Sequence, residues 1–160
     1  MGAAMVFNAN LTKKEHAARC TSALERLFND PSAEIRKTAG NAIWCLESTQ
    51  LQDHVPLART FLNSEAFSAN ADDLIHALKE TTAPVPELIL ETCEATLDTF
   101  ERNRVGQIAY QAGEAISLVL RAYADTDEPA VKNRALDLVE RALRLDVYDA
   151  NKVLTEYDRW

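Results

Sequence analysis

The sequence predicts an all-α fold built from antiparallel helical hairpins, and three observations lead to this prediction. Apolar residues recur at steps of three and four along most of the 160 residues, which is the period of a helix with one buried face. Only four glycines and five prolines occur, too few for the tight turns of an all-β domain. The segments between the periodic stretches are short, so neighbouring helices are expected to pack antiparallel. With 47% apolar residues, the chain is long enough to bury the core of one domain, residues 1–160.

The first half of the predicted domain, residues 11–80, opens with two helices. The first follows a capping box, in which the hydroxyl of Thr12 and the carboxylate of Glu15 satisfy backbone N–H groups. The second is expected to have Asp30 as its N-cap and Pro31 at its first position, where a missing N–H costs nothing. These two helices form the first predicted hairpin.

Two further helices complete this half. A short third helix is predicted after a second capping box at Thr49, with Pro56 tolerated because it lies in the first turn. The fourth is expected to have Ser64 or a neighbouring residue as its cap and to end around Lys79. These assignments give a second hairpin.

A segment with two prolines, residues 81–86, separates this half from the second one, residues 84–160. Proline disfavours the helical conformation in the residue before it, so the segment is expected to interrupt the helices. Four more helices are predicted beyond it. They cover residues 86–101, residues 106–124, a stretch starting near Pro129 and a last stretch starting at Asp146.

Two stretches of the chain match each other at an offset of 96 residues: residues 30–39 and residues 126–135. Their shared pattern, D-x-x-x-x-[IV]-[RK]-x-x-A, resembles the HEAT repeat, a family in which an Asp and an Arg six residues apart help to stack successive helical hairpins. Asp30 and Arg36 have that spacing, whereas the second copy has Lys132 in place of the arginine. The resemblance implies a short, irregular HEAT-like α-solenoid of about eight helices.

The C-terminal stretch carries a second resemblance. Residues 118–160, LVLRAYADTDEPAVKNRALDLVERALRLDVYDANKVLTEYDRW, are similar to the ends of large bacterial helical-repeat proteins. This resemblance implies a C-terminal module of a longer bacterial protein.

Charge and cysteine content restrict the partners and the compartment. A formal net charge of -8 repels nucleic acid and anionic membrane surfaces, so a basic protein surface is the expected partner. No stretch approaches the roughly 18 apolar residues of a membrane span. Cys20, Cys45 and Cys93 suggest neither a disulfide framework nor a zinc site. A soluble, cytoplasmic protein is therefore expected, with no metal or other cofactor.

One helix face carries a row of acidic residues at steps of four, three, four and three. This acidic seam consists of Glu87, Glu91, Glu94, Asp98 and Glu101. Like charges one turn apart repel by a few tenths of a kcal/mol per pair. The row is either a solvated face, or a seam that docks a basic partner or the basic stripe of the seventh predicted helix. That stripe consists of Arg134, Arg141 and Arg144.

Two smaller groups of residues were also considered as binding sites. Trp44 beside Arg36 could imitate the base-stacking platform of HEAT-like DNA glycosylases, although a tryptophan beside an apolar stripe usually packs in the core. Tyr148, Tyr157 and Trp160 gather aromatic area at the C-terminal end, where they suggest homo-oligomerisation.

These observations predict a non-catalytic protein–protein interaction scaffold whose acidic seam docks a basic partner. The sequence presents neither a phosphate-binding glycine loop nor a nucleophile on a strand-turn-helix elbow, so no enzyme activity is expected. Two alternatives stay open, a HEAT-like DNA-binding or DNA glycosylase-type protein and a small acidic immunity-type protein.

Overall fold

The computed structural model describes residues 14–46, 51–104, 107–148 and 150–157. Throughout these ranges every regular element is a helix and no strand occurs, so the predicted all-α class is confirmed. The chain divides into two compact units, Met1–Ala83 and Pro84–Trp160, called here the N-terminal and C-terminal units.

The described part of the N-terminal unit consists of α-helices and one short 3-10 helix. They are α1 (Lys14–Leu27), α2 (Ala33–Trp44), the 3-10 helix (Leu51–His54), α3 (Val55–Leu62) and α4 (Phe67–Glu80). Helix α2 packs mainly on α4, while α1 contacts α2 and α3, and α3 contacts α4. The capping residues predicted at Thr12 and Thr49 lie outside the described residues.

The start of α2 differs from the prediction. Asp30 is not the N-cap and Pro31 is not the first helical residue, because the helix begins at Ala33. Ser32 is the N-cap, and its hydroxyl accepts a long hydrogen bond of 3.5 Å from the Ile35 N–H. The Asp30 carboxylate instead accepts from the Ser32 N–H at 2.8 Å, which is an Asx-turn that positions the serine. A sequence with two potential caps two residues apart does not show which of them the helix uses.

Helix α4 begins at Phe67 with Ala66, a neighbour of Ser64, as its N-cap, and the helix is irregular. The Ser64 hydroxyl donates to the Phe61 carbonyl at 2.6 Å, so it serves the end of α3 and does not cap α4. Ala66 is the N-cap and makes no side-chain capping bond. Asn70 has non-helical backbone angles inside α4, and its side-chain amide donates to the Ala66 carbonyl at 2.8 Å. A side chain that competes for a backbone carbonyl in this way accompanies the kink.

Three phenylalanine rings form the centre of the N-terminal core. Phe61 is completely buried and meets Phe28 and Phe67 edge to face, with ring centroids 5.1 and 5.9 Å apart. Burying one such ring contributes about 1.5–3 kcal/mol. The cluster joins α3 to α4 and to the residue that follows α1.

The C-terminal unit is organised around its longest helix. Its elements are α5 (Pro86–Arg102), α6 (Gln107–Ser117), α7 (Val119–Ala124), α8 (Pro129–Arg144) and α9 (Ala150–Tyr157). Helix α5 packs on α6, α7 and α8, and α9 packs on α6 and α8. One face of α5 is therefore buried along its length, as shown by Leu90, Cys93 and Leu97, none of which is exposed.

The single helix predicted over residues 106–124 is wrong, because the structure divides it into α6 and α7. At the break the Leu118 N–H donates to the carbonyl of Ala115, three residues back, at 3.1 Å. The Ser117 hydroxyl donates to the Glu114 carbonyl at 2.7 Å. One tighter turn thus replaces a regular helical turn, which a periodic apolar pattern does not reveal.

Helix α8 ends in a Schellman motif, and α9 starts later than predicted. Asp146 has φ 57°, in the left-handed region, and its N–H donates to Leu143. The next N–H, that of Val147, donates to Ala142 at 3.0 Å. The predicted start of the last helix at Asp146 is therefore wrong, since α9 begins at Ala150.

Candidate functional site

The acidic seam lies on the side of α5 opposite its buried residues, and α8 packs beside it. Buried positions such as Leu90 and Leu97 alternate with half-exposed carboxylates at helical spacing. The seam is therefore a real row of acids along one helix. Two arginines of α8, seven residues apart and on one face of that helix, reach it.

Arg134 bridges the N-terminal part of the seam. Its two terminal nitrogens contact different carboxylates, Nη1 with Glu87 at 3.0 Å and Nη2 with Glu94 at 2.6 Å. The guanidinium fork suits this arrangement, because its N–H groups point in fixed directions toward two acceptors. Glu87 and Glu94 are two turns apart, and one arginine spans the distance between them.

Arg141 bridges the C-terminal part of the seam. Its Nη2 lies 2.7 Å from a carboxylate oxygen of Asp98 and 2.7 Å from one of Glu101. Arg144, the third residue of the predicted stripe, instead pairs with Glu140 on its own helix. Of the two docking possibilities left open by the sequence, the structure shows contact between the seam and its own stripe, through two of the three arginines.

The electrostatics of the two arginines reflect these contacts. Burial acts to lower the pKa of Arg134, but the hydrogen bond that it donates to Glu94 and the charges of Glu94, Glu87 and Glu91 outweigh it and raise the pKa. The hydrogen bond to Glu101 is the main cause of the raised pKa of Arg141. Both guanidinium groups are held in their charged form by surrounding carboxylates.

The seam still has an excess of negative charge. Four carboxylates meet two arginines, and Glu91 adds a fifth acid close enough to act on Arg134. The side chains of Glu87 and Glu94 are 47% exposed, and those of Asp98 and Glu101 are 53% exposed. Ion pairs at this exposure typically contribute about 0.2–1 kcal/mol. They fix how α8 lies on α5 more than they stabilise it.

A cysteine lies on the face of α5 that is turned away from the seam. Cys93 is fully buried on the inner face of α5. Burial raises the pKa of its thiol to about 12, so the thiol is protonated near neutral pH. Since the thiolate is the reactive form, Cys93 behaves as a small apolar side chain.

Arg36 and Trp44, the pair that resembles a base-stacking platform in the sequence, lie at opposite ends of α2. Eight residues of helix place them about 12 Å apart along the axis. The Arg36 guanidinium donates to the carbonyls of Asp30 and Pro31 at 2.6 and 3.1 Å and lies 3.5 Å from Glu65. Arg36 thus holds the turn before its own helix, within the N-terminal unit.

Trp44 is 44% exposed and stacks on a partner that the sequence did not suggest. Its ring is nearly parallel to that of His76 on α4, with centroids 3.8 Å apart. One face of the indole is covered by this imidazole. The predicted grouping of Trp44 with Arg36 is replaced by a Trp44–His76 pair at the α2–α4 contact.

The aromatic residues predicted for self-association are only partly described. Tyr148 is 76% exposed in the connection between α8 and α9. Its backbone lies against α6 at Gly113, where an added Cβ would come within 3.0 Å of the Tyr148 carbonyl oxygen. The Tyr157 side chain and all of Trp160 lie outside the described residues. Tyr110, 63% exposed on α6, is a further aromatic of this unit that the sequence analysis did not select.

A buried carboxyl group lies outside the residues that the sequence pattern singles out. Asp73 on α4 is only 7% exposed, and its Oδ2 would lie 2.5 Å from a Cβ added to Gly40 on α2. Burial is the main cause of the raised pKa of Asp73, about 7. The available signal was Gly40 in the middle of a helical pattern, since an isolated glycine there often marks a close approach.

Within the described ranges, no group of three or more His, Cys, Asp or Glu residues is placed to hold a metal ion. In the same ranges, no helix is long and apolar enough to cross a membrane. Comparison with protein-family models, curated proteins and solved structures gives no match for this chain.

Proposed function

We propose that this protein is a non-catalytic, HEAT-like protein-binding scaffold whose acidic seam docks a basic surface of another protein. The observation that carries the proposal is the charge balance of the seam, in which four half-exposed carboxylates contact two arginines. A surface of this sign attracts lysine- and arginine-rich partners and speeds their association.

The chemistry of the carboxylates supports the proposal even though four of them already contact arginine. An ionised carboxylate offers about four lone-pair positions, and one guanidinium contact uses only part of this capacity. Arg134 and Arg141 also hold the acids in fixed positions, which lowers the entropy lost when a partner binds. The seam is proposed to act as a pre-ordered row of acceptors.

The surroundings of the seam fit the same role. The helices of the C-terminal unit are proposed to form part of a short solenoid of antiparallel hairpins, in which exposed faces bind extended partner surfaces. The cysteines at positions 20, 45 and 93 form no disulfide bond, which suits a reducing compartment, so a cytoplasmic location is part of the proposal.

The test compares a seam variant with a charge-matched control. The seam variant combines Glu91→Gln with Asp98→Asn, which removes two charges and keeps side-chain shape. The control combines Glu34→Gln with Asp53→Asn, two exposed acids of the N-terminal unit. Each immobilised protein is incubated with an extract of the source cells, and the bound proteins are identified by mass spectrometry.

The proposal predicts that at least one basic protein binds both the wild type and the control. Its affinity for the seam variant should be at least tenfold lower, and it should be released as the salt concentration is raised. Salt dependence is expected because exposed charges are screened over about 8–10 Å near physiological ionic strength. The proposal is wrong if every protein retained by the wild type is retained equally by the seam variant.

A further inference from the structure

The contact between α2 and α4 encloses a carboxyl group that no function described above uses. Asp73 is 7% exposed although it carries an ionisable side chain. Its Oδ2 approaches α2 where Gly40 has no side chain, and a Cβ there would lie 2.5 Å away. The Phe61 ring and the Asn70 side chain border the same space, at 3.4 and 3.5 Å from that Cβ position. The carboxyl therefore occupies the volume that the glycine leaves.

The charged groups around Asp73 do not neutralise it. Lys37 on α2 is the nearby cation, and its charge lowers the pKa of Asp73, whereas the neighbouring Asp72 raises it. Helix α4 also carries His76 one turn further on, stacked on Trp44. Helix α3 has one charged residue, Arg59, and it is exposed. Desolvation remains the largest influence, so burial favours the neutral acid.

The backbone of α4 is irregular next to this group. Asn70 leaves the helical conformation one turn before Asp73, with φ -136° and ψ 33°. Interruptions of this kind mark places where a helix bends. The segment that carries the buried carboxyl thus begins directly after a kink.

We propose that Asp73 makes the packing of α4 on α2 pH-sensitive, with a tight contact when the carboxyl is protonated and a looser one when it is ionised. Ionisation places a charge in a space that is almost closed to water and bordered by the Phe61 ring. The helices respond by opening toward water at the Asp73–Gly40 contact, with the kink at Asn70 as the bending point.

The direction of the pH effect follows from proton linkage. The pKa of Asp73 rises from 3.8 to about 7 on folding, so the folded state binds this proton more tightly than the unfolded state. The stabilisation from this proton is complete below pH 3.8, the pKa in the unfolded state. It declines as pH rises from 3.8 to about 7, the pKa in the folded state, and is gone above pH 7. From pH 5 to pH 8 the opening constant is expected to increase roughly 10- to 100-fold through this group.

The experiment compares the full chain with its Asp73→Asn variant, which keeps the shape and cannot ionise. Hydrogen exchange of the α2 and α4 amides and urea unfolding are measured at pH 5 and pH 8. The wild type is expected to show the 10- to 100-fold increase in opening, and the variant to lose it. Asp53→Asn removes an exposed carboxylate of the same unit and is expected to behave as the wild type. Effects of His76 remain in all three proteins, so the difference isolates Asp73.

A direct titration keeps the proposal testable if the variant does not fold. The carboxyl carbon of Asp73 in the wild-type protein is followed by NMR as pH is raised. A midpoint between pH 6 and 8, together with chemical-shift changes at Gly40 and Trp44, supports the proposal. A midpoint below pH 5, or equal pH dependence in the wild type and in a folded Asp73→Asn variant, overturns it.

Discussion

The two units place carboxylates at helix–helix contacts in opposite ways. Between α2 and α4, Asp73 is buried against Gly40, and burial raises its pKa to about 7. Between α5 and α8, Glu94 and its neighbours stay half exposed and meet the guanidinium groups of Arg134 and Arg141. In the first contact burial favours the neutral carboxyl group, and in the second the carboxylates are charged and form ion pairs with arginine.

This difference predicts which solution condition, pH or salt concentration, affects the helix packing of each unit. A buried carboxyl couples packing to pH, because little water is present to solvate the charge that forms when it ionises. An exposed ion pair couples packing to salt, because mobile ions screen it. The N-terminal unit is expected to respond to protons and the C-terminal unit to ionic strength.

The largest effect is expected from the aromatic cluster of the N-terminal unit. Phe61→Ala removes a ring that has no exposed surface and makes two edge-to-face contacts. A loss of about 3–5 kcal/mol in the free energy of unfolding is expected, from lost burial and the cavity that remains. Urea denaturation followed by circular dichroism measures it, with Phe61→Leu as a milder control. A loss under about 1 kcal/mol would show that burial does not dominate this unit.

The two helical glycines provide the next comparison. Gly40→Ala puts a methyl 2.5 Å from Asp73 Oδ2, in a space with no room for it. Overpacking costs about 1–3 kcal/mol and the gain in helix propensity is ~1 kcal/mol, so a net loss of up to about 2 kcal/mol in the free energy of unfolding is expected.

Gly113→Ala meets the Tyr148 carbonyl oxygen at 3.0 Å, a tight contact at which the exposed connection before α9 shifts slightly. A smaller loss than for Gly40→Ala is expected, and thermal unfolding of the two variants side by side measures the difference. Equal losses would contradict the view that the α2–α4 contact is the tighter one.

A substitution in the turn after α8 is expected to increase the stability of the protein. Asp146 adopts φ 57° without being glycine, whereas Gly40 is needed for space and not for a positive φ. Asp146→Gly relieves the left-handed strain of about 1 kcal/mol, less the added entropy of the unfolded chain, for a net gain of roughly 0.5 kcal/mol. Asp146→Ala keeps a Cβ at the same φ and serves as the control. The melting temperature measured by calorimetry should be higher for Asp146→Gly than for Asp146→Ala. The reverse order would show that the positive φ at this position is not strained.

An effect of similarly small size is expected at the ion pairs. A double-mutant cycle with Arg134→Met and Glu94→Gln should give a coupling energy of about 0.2–1 kcal/mol, because both groups are exposed by more than a third. The coupling should shrink between low salt and 1 M salt, where the screening length falls to about 3 Å. A coupling above 2 kcal/mol at high salt would place this pair among buried interactions and erase the contrast between the units.

The sequence was sufficient for the all-α class and for most helices. The apolar period identifies α5, predicted over residues 86–101 and observed as Pro86–Arg102, because a long stripe with proline at its first position leaves few alternatives. Helix ends were less predictable. Asp30 and Ser32 are both good caps, and only local hydrogen bonds select the serine.

The row of acids along α5 was likewise determined by sequence, since helical spacing alone puts those five residues on one face. That Arg134 and Arg141 meet the row, while Arg144 pairs on its own helix, depends on how α8 lies against α5. The position of Asp73 against Gly40 likewise depends on how α4 lies against α2. Periodicity within a helix is a local property, whereas burial and ion pairing require a second helix, and only the tertiary structure decides where that helix lies.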